Sequence, residues 1–307
     1  MTERIVIAGA SGFMGRRFRE RFEAEGAEVR TVGRALSGAD AAWGDEAGIR
    51  ALVEGSDLLL NLAGKSVNCR YNAANRAEIF RSRLETTAEL GRVVQAADAP
   101  PPVWMNASTA TIYRHADDRP MTESTGEIGT GFSVDVATSW ERTLAEHARE
   151  GVRQVALRMA ITLGDGSALR PLVNLARLGL GGPHIGGKTP GGRQRFSWVH
   201  LDDVHRAIRF LQTSELDGAV NISSPNPSTD REVMATIRRV LGVPVGVPLS
   251  GWMLELGSAV IRTETELILK SRWVLPERLE AAGFRFAHPE LEPALREILG
   301  RPAPSRG

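Results

Sequence analysis

The chain has 307 residues, a length that suffices for one large domain or two modest ones with a buried core. Charged residues make up 24% of it and nearly balance, to a formal net charge of +1, which excludes a strong field for nucleic acid or an anionic membrane. The single cysteine, Cys69, excludes a disulfide within the chain.

The absence of targeting patterns favours a cytoplasmic protein. The first apolar run, Ile5 to Ala8, is too short for an export signal, and no stretch reaches the length of a membrane span. The six histidines are scattered without metal-ligand spacing, so we expect no metal site. We expect neither nucleic acid nor a membrane as a partner, whereas a homodimer remains open.

Through the first half of the chain, short apolar runs alternate with amphipathic stretches. Met14, Phe18 and Phe22, for example, recur at the four-residue spacing of a helix face. The predicted strands cover residues 4–8, 28–32, 57–62, 103–107 and 153–161, and the predicted helices cover residues 13–25, 49–54, 74–97 and 139–150. This alternation predicts an α/β protein of the Rossmann type, with a doubly wound parallel sheet between helices.

The pattern changes after Gly164. We predict a loop over 178–192, a strand over 196–199, a helix capped by Asp202 and Asp203, and a strand over 219–222. From Pro225 onward the chain is predicted to be mostly helical. We therefore expect a Rossmann domain over residues 1–165, to which residues 196–223 return, and a smaller substrate-side domain from residues 166–195 and 224–300.

The stretch AGASGFMG places three glycines between the first predicted strand and the first predicted helix. In a dinucleotide site, the first glycine allows the tight turn, the second lets the diphosphate approach the backbone, and the third lets the helix pack on the strand. An ordinary glycine-rich loop is the alternative. The predicted cofactor contacts in this turn are Gly9, Ala10, Ser11, Gly12, Phe13, Met14 and Gly15.

The second strand ends without the acidic residue that usually binds the ribose hydroxyls of NAD. Arg34 stands there instead, and its guanidinium is suited to a 2′-phosphate, so we predict NADP as the cofactor, with NAD less favoured. A solvated surface arginine is the alternative. Asp45 is a candidate acceptor for the adenine amino group. Leu62, Ala63 and Gly64 at the end of the third strand, and Arg158 in the fifth, complete the predicted cofactor contacts.

Several stretches together resemble the extended, epimerase-like branch of the short-chain dehydrogenase/reductase superfamily. They are AGASGFMG, NLAG, NASTATIY, LRMAITLG and FSWVHLDDV. The stretches RSRLETT, ARLGLGGP and VLPERLEAAGFRF are similar to a SulA-type "epimerase family" subgroup, which carries a C-terminal domain of unassigned function. The resemblance covers nearly the whole chain and implies substrate binding between the two domains.

The resemblance also implies catalytic positions. Thr109 matches the Ser/Thr that binds the substrate carbonyl or alcohol, although a threonine capping its own backbone is the alternative. Ser108 is the reserve candidate, and Tyr113 matches an aromatic residue that lines the active site. The superfamily's acid/base pair, a tyrosine and a lysine four residues later, has no counterpart, because the corresponding region reads GFSVDVATSWE.

Three hypotheses follow from the missing pair. In the first, the protein is an oxidoreductase whose proton donor is displaced, with Tyr113, Asp135, His184 or Lys188 in that role. In the second it is an NADP(H)-binding regulator, and in the third a catalytically silent relative. The basic, glycine-rich segment 179–197 suits a carboxylate or phosphate, or is merely a solvated loop. We expect His200 to be a buried structural hydrogen-bonder, Cys69 to be unreactive, and the apolar stretch 252–261 to be core or a dimer face.

Overall fold

The computed structural model describes residues 2–166, 169–182, 184–185, 189–250 and 270–301, excepting the side chains of residues 184, 185, 190, 249 and 250. The strands are β1 (Arg4–Ala8), β2 (Glu28–Gly33), β3 (Ala41–Ala42), β4 (Leu58–Asn61), β5 (Val103–Thr109), β6 (Arg153–Met159), β7 (Ile161–Leu163), β8 (His184–Ile185), β9 (Arg195–Phe196), β10 (Trp198–His200), β11 (Gly218–Ile222), β12 (Ser228–Thr229) and β13 (Leu249–Ser250). The helices are α1 (Phe13–Ala24), α2 (Glu46–Val53), α3 (Ala73–Ala96), α4 (Phe132–Glu146), α5 (Leu169–Arg177), α6 (Leu201–Thr213), α7 (Asp230–Leu241), α8 (Glu277–Ala281) and α9 (Leu291–Ile298).

Seven of these strands form one parallel sheet in the order β11-β6-β5-β4-β1-β2-β3. Strand β1 pairs with β2 on one side, where Ala8 lies opposite Val32, and with β4 on the other, where Ala8 lies opposite Asn61. The strand order reverses at β1, so the carboxyl ends of β1 and β4 border the crevice where open α/β sheets bind ligands. The predicted Rossmann architecture is confirmed.

The core lies on both faces of this sheet, which explains the continuous apolar runs of the strands. Ile5 and Ile7 pack with Phe18 and Phe22 of α1 and with the inner face of α6. Val6 and Ala8, which alternate with them, pack on the opposite face in a cluster with Trp104. Strands β1 and β4 are covered on both sides and bury nearly every side chain, so they carry no polar alternation.

Several predicted boundaries were wrong. The predicted strand 196–199 is two strands, because β9 pairs with β12 whereas β10 pairs with β7. The predicted loop over 178–192 contains β8 and a short 3-10 helix over 190–192. Helix α4 begins at Phe132 rather than at residue 139, directly after Gly131, whose φ of +106° marks the turn into the helix. The predicted strand 153–161 is two strands, because the chain leaves the sheet after Met159 and residues 161–163 pair with β10 instead. These errors concern segments whose conformation is set by their tertiary neighbours.

The start of α6 also differs from the prediction. His200, which is 4% exposed, caps this helix by accepting a hydrogen bond from the Asp202 N–H at Nδ1, 3.1 Å away. The expectation that His200 is a buried hydrogen-bonder is thus confirmed, and the capping role given to Asp202 and Asp203 was wrong. The fully buried Asp203 carboxylate instead accepts from the N–H groups of Ala287 and His288, and so holds the C-terminal segment against α6.

The C-terminal part contributes helices α7, α8 and α9, and α7 packs against α5 and α9 in a separate apolar cluster. The apolar stretch 252–261 lies outside the described residues. Among the residues that are described, no helix combines the length and apolar character needed to cross a membrane.

Candidate functional site

The glycine turn follows β1 and leaves no room for side chains at two of its three glycines. A Cβ on Gly9, whose φ is +85°, would lie 2.8 Å from the Ala63 nitrogen. A Cβ on Gly15 would lie 2.4 Å from the Gly9 carbonyl oxygen, so this glycine lets α1 pack directly on the turn. A Cβ on Gly12 would meet only that same oxygen, at 3.3 Å. Gly9 and Gly15 therefore serve the close packing of the turn, whereas the diphosphate contact at Gly12 stays a prediction.

Helix α1 begins at this turn without a side-chain cap. Gly12 is its N-cap residue and the first turn holds no acidic residue, so the N-terminal N–H groups face outward with the positive end of the helix dipole. The Arg16 guanidinium donates to the Ser11 carbonyl oxygen at 2.9 Å and adds positive charge beside the turn. Exposed Arg17 lies 3.7 Å from Glu20 instead. The turn is therefore suited to an anion.

Arg34 follows β2 directly, at the start of a short 3-10 helix over residues 35–37. Its side chain is exposed and makes no ion pair or hydrogen bond with the described part of the chain, whereas its carbonyl oxygen accepts from Ser37. A guanidinium that is free at this edge of the sheet can form a bidentate contact with a phosphate.

The remaining predicted cofactor contacts surround the same edge. The Asp45 carboxylate caps α2 by accepting from the Gly48 N–H at 2.9 Å, so its adenine contact stays a prediction. The segment of Leu62, Ala63 and Gly64 leaves β4 against Gly9. The buried Asn61 fixes this segment, because its Oδ1 accepts from the Ala63 N–H at 3.0 Å.

The two hydroxyl groups at the end of β5 have different surroundings. Thr109 Oγ1 accepts from the Thr111 N–H at 3.1 Å, which is the backbone cap that the sequence left as an alternative. Its own proton has no acceptor within the described residues, so the hydroxyl keeps a free donor. Ser108, in contrast, is 4% exposed and donates to Glu141 at 2.6 Å.

Tyr113 lies in a buried polar network behind β5. Its hydroxyl donates to Asn221 and accepts from Arg158, both at 2.9 Å. Burial raises the pKa of this phenol, which is 2% exposed. Arg158 also makes two hydrogen bonds to Glu141, at 2.7 and 2.8 Å. These groups are already hydrogen-bonded to one another. The catalytic role of Tyr113 and the cofactor contact of Arg158 therefore stay predictions.

Phe132 occupies the first position of α4, in the region where the superfamily has its tyrosine. The rings of Tyr71 and Phe80 lie 4.9 and 5.6 Å from it, and the Arg76 guanidinium carbon lies 4.5 Å from its centroid. Asp135, a proposed displaced donor, is exposed in the first turn of this helix. The side chain of His184 and the whole of Lys188 lie outside the described residues.

Two residues and one cluster near the carboxyl ends of β4 and β5 were not predicted from the sequence. Glu141 holds Ser108 and Arg158 together, and Arg83 lies against Gly64, but each is simply a charged helix residue in the sequence. The cluster joins Asn61 to Thr87 and Asn106, with Asn61 Nδ2 donating to Asn106 Oδ1 at 2.6 Å. An asparagine at a strand end was the only available signal for it.

A histidine cluster that the spacing did not predict lies at the start of α6. Ligand atoms of His200, Asp202 and His288 lie within 4.8 Å of one another. All three side chains already have protein partners, since Asp202 pairs with Arg21 and His288 Nδ1 lies 3.1 Å from Glu297. We therefore assign no metal to this cluster.

The fold, the glycine turn and the strand-end residues define a dinucleotide-binding protein of the epimerase type. The chain belongs to the NAD dependent epimerase/dehydratase family, whose model matches residues 5–223; residues 249–298 match a domain of unknown function, DUF1731. The resemblance seen in the sequence is thereby confirmed.

Similar proteins cover almost the whole chain. Epimerase family protein SDR39U1 of Bos taurus is 32% identical over 96% of this chain and 99% of its own length. The structure of human epimerase family protein SDR39U1 (isoform 2) with NADPH is 28% identical, has a TM-score of 0.86, and covers 97% of this chain and 99% of that one. A UDP-N-acetylglucosamine 4-epimerase from Methanobrevibacter ruminantium, 18% identical with a TM-score of 0.76, covers 98% of both chains and shares the fold.

Proposed function

We propose that the protein is an NADP-dependent, epimerase-like oxidoreductase that acts on a small carbonyl or alcohol. The glycine turn carries this proposal, because Gly9 and Gly15 let residues 62–63 and α1 pack directly on the backbone of the turn, and the uncapped start of α1 at Gly12 is suited to a diphosphate. Arg34, free at the end of β2, favours NADP over NAD. The human relative whose structure contains NADPH supports the same choice.

The residues present fit this cofactor. The uncapped start of α1 and the nearby Arg16 would hold the diphosphate, and Arg34 would hold the 2′-phosphate. Residues 62–64 would border the cofactor, and Asp45 and Arg158 remain proposed contacts. When bound, NADP supplies hydride chemistry, so the protein must orient the substrate and exchange a proton.

Thr109 is the proposed substrate-binding hydroxyl. Its oxygen is held by the Thr111 N–H, and its proton is left to donate to a carbonyl oxygen of the substrate. Ser108 and Tyr113 would support this edge through Glu141 and Asn221. The proton donor would be displaced from the superfamily's position, and Tyr113, Asp135, His184 and Lys188 are its candidates.

The test is NADPH oxidation by the purified full chain against a panel of aldehydes and ketones, with NADPH affinity measured separately by calorimetry. We expect saturable NADPH binding and turnover of at least one carbonyl. Thr109→Ala should lower kcat by about 10²-fold and leave the NADPH Kd unchanged, since it removes a donor to the reacting oxygen. Thr213→Ala, at the end of α6, is the matched control. Unchanged turnover in Thr109→Ala would remove this residue from the site.

A second candidate is a non-catalytic NADP(H)-binding regulator. Phe132 favours it, because this apolar ring has no exchangeable proton in the region where the superfamily uses a tyrosine, and Val136 four residues later is buried. Tight NADPH binding without turnover across the whole panel would support the regulator and contradict the enzyme.

A further inference from the structure

Arg83, on α3, is a half-buried cation without a carboxylate partner in the described part of the chain. Its Nη1 donates to the carbonyl oxygens of Lys65 and Ile79, at 3.0 and 3.2 Å, and its guanidinium carbon lies 5.0 Å from the Trp140 ring centroid. Burial lowers the pKa of this guanidinium to about 10, which still leaves it charged at neutral pH. A buried charge without a countercharge is costly, so a bound anion would stabilise this arrangement.

The segment 65–70, which contacts Arg83 through the Lys65 carbonyl oxygen, carries further unpaired positive charge. Lys65 Nζ donates to the neutral amide oxygen of Asn75 at 2.8 Å, and Arg70 is exposed. Neither forms an ion pair with any carboxylate that the structure describes. Arg81, two residues before Arg83, instead pairs with Glu78 at 2.5 Å and Glu85 at 3.5 Å, as an ordinary surface arginine does.

The position of Arg83 ties it to the proposed active site. A Cβ on Gly64 would lie 3.1 Å from the Arg83 guanidinium carbon, so the side chain rests on the main chain where β4 ends. This is the edge at which Ala63 meets the glycine turn. On its other side Arg83 contacts Trp140, whose neighbour in the chain, Glu141, binds Ser108 at the end of β5.

We propose that Arg83 and Lys65 form an anion subsite that binds a carboxylate or phosphate group of the substrate. This inference rests on the proposed function, because it places the anion beside the cofactor. The Nε and Nη2 groups of Arg83 make no hydrogen bond within the described residues, so the planar fork retains donors for two oxygen atoms. Arg34 and the start of α1 serve the phosphates of the cofactor separately.

The test titrates the full chain, saturated with NADP⁺, with inorganic phosphate and with pyruvate, each against sodium chloride at equal ionic strength. Calorimetry should show saturable binding of at least one anion; pyruvate alone indicates a carboxylate site and phosphate alone a phosphate site. Arg83→Gln should raise the anion Kd by about 10-fold or more, since hydrogen bonds to a charged group are lost. Arg81→Gln, the matched control, should retain the wild-type Kd.

Three results would overturn the proposal: no saturable anion binding, equal binding by Arg83→Gln, or a loss of NADP⁺ affinity in Arg83→Gln as large as its loss of anion affinity. The last would make the cofactor itself the counterion. If Arg83→Gln does not fold, Arg83→Lys tests the subsite instead, because lysine keeps the positive charge but lacks the planar guanidinium donors. The Kd of Arg83→Lys for phosphate or pyruvate should still rise severalfold. Failure of NADP⁺ to bind the wild type would instead reject the proposed function.

Discussion

At the scale of single residues, Arg34 makes the sharpest prediction. Its free guanidinium follows β2 and would contact only the 2′-phosphate, which NADPH has and NADH lacks. Arg34→Ala should therefore weaken NADPH binding by about 10-fold or more and change NADH binding little. Calorimetric titration with both nucleotides measures the difference. Arg17→Ala is the control, because Arg17 is exposed beside Glu20; an equal loss of both nucleotides in Arg34→Ala would reject the phosphate contact.

The sequence could propose a role for residues whose position in the chain itself suggests one. Arg34 was recognisable because it follows a strand in a known arrangement, and Thr109 because a resemblance placed it. Arg83 was not, because its lack of a countercharge depends on how α3, α4 and residues 64–65 pack together. The enclosure of Tyr113 by Asn221, 108 residues away in the chain, is likewise a tertiary fact.

At the scale of elements, we expect substitutions at two glycines of the strand–turn–helix unit to have different effects. Gly15→Ala forces a Cβ against the Gly9 backbone and should destabilise the fold by about 1–3 kcal/mol. Gly12→Ala meets only one atom, at 3.3 Å, and should nearly retain the stability while weakening NADPH binding, because the methyl group lies where the diphosphate approaches.

Urea unfolding and NADPH calorimetry on both variants separate the two effects, and each variant serves as the control for the other. Retained NADPH affinity in a stable Gly12→Ala protein would contradict the assignment of the turn to the diphosphate. Retained stability in Gly15→Ala would show that α1 does not depend on its contact with Gly9.

The type of an element was predictable where its apolar residues recur with a strong period. The predicted bounds were wrong where tertiary packing determines the end of the element. Helix α1 repeats Phe18 and Phe22 on its buried face and was predicted to within a residue of its observed end. The first turns of α4 carry Ser133 and Thr138, which are weak helix formers, and are stabilised by burial of Val134 and Val136. The break between β6 and β7 is invisible locally, because Met159 and Ala160 run into Ile161 without a turn residue and only the pairing partners of the two strands differ.

At the scale of the whole molecule, the alternation of strands and helices sufficed for the sheet, because each βα unit buries its surface locally and connects right-handedly. How the C-terminal segment attaches did not follow from any pattern. It depends on isolated polar contacts such as those of Asp203, and of Asn221, whose Nδ2 donates to the Leu275 carbonyl oxygen at 3.0 Å. Polar contacts of this kind have no sequence period, so only the folded chain reveals them.

The packing of α1 on α6 makes the global stability depend on pH through His205. This ring is 3% exposed, lies 4.7 Å from the Phe22 ring, and has Nε2 3.5 Å from Glu25, with Arg21, Arg209 and Asp202 also nearby. Burial lowers its pKa from 6.5 to about 4. The unfolded chain therefore binds a proton at a higher pH than the folded one, so the stability that His205 contributes is complete above pH 6.5 and is lost as the pH falls towards 4.

One pKa unit corresponds to about 1.4 kcal/mol, so between pH 7 and pH 4.5 we expect a loss on the order of 2 kcal/mol from this group. His205→Phe keeps an aromatic ring between Phe18 and Phe22 without a titrating group, and its free energy of unfolding should fall less between pH 7 and pH 4.5. Urea unfolding of both proteins at the two pH values measures the difference. His200, whose pKa burial also lowers, titrates in both proteins and cancels. Equal losses in the two proteins would show that protonation of His205 does not control acid stability.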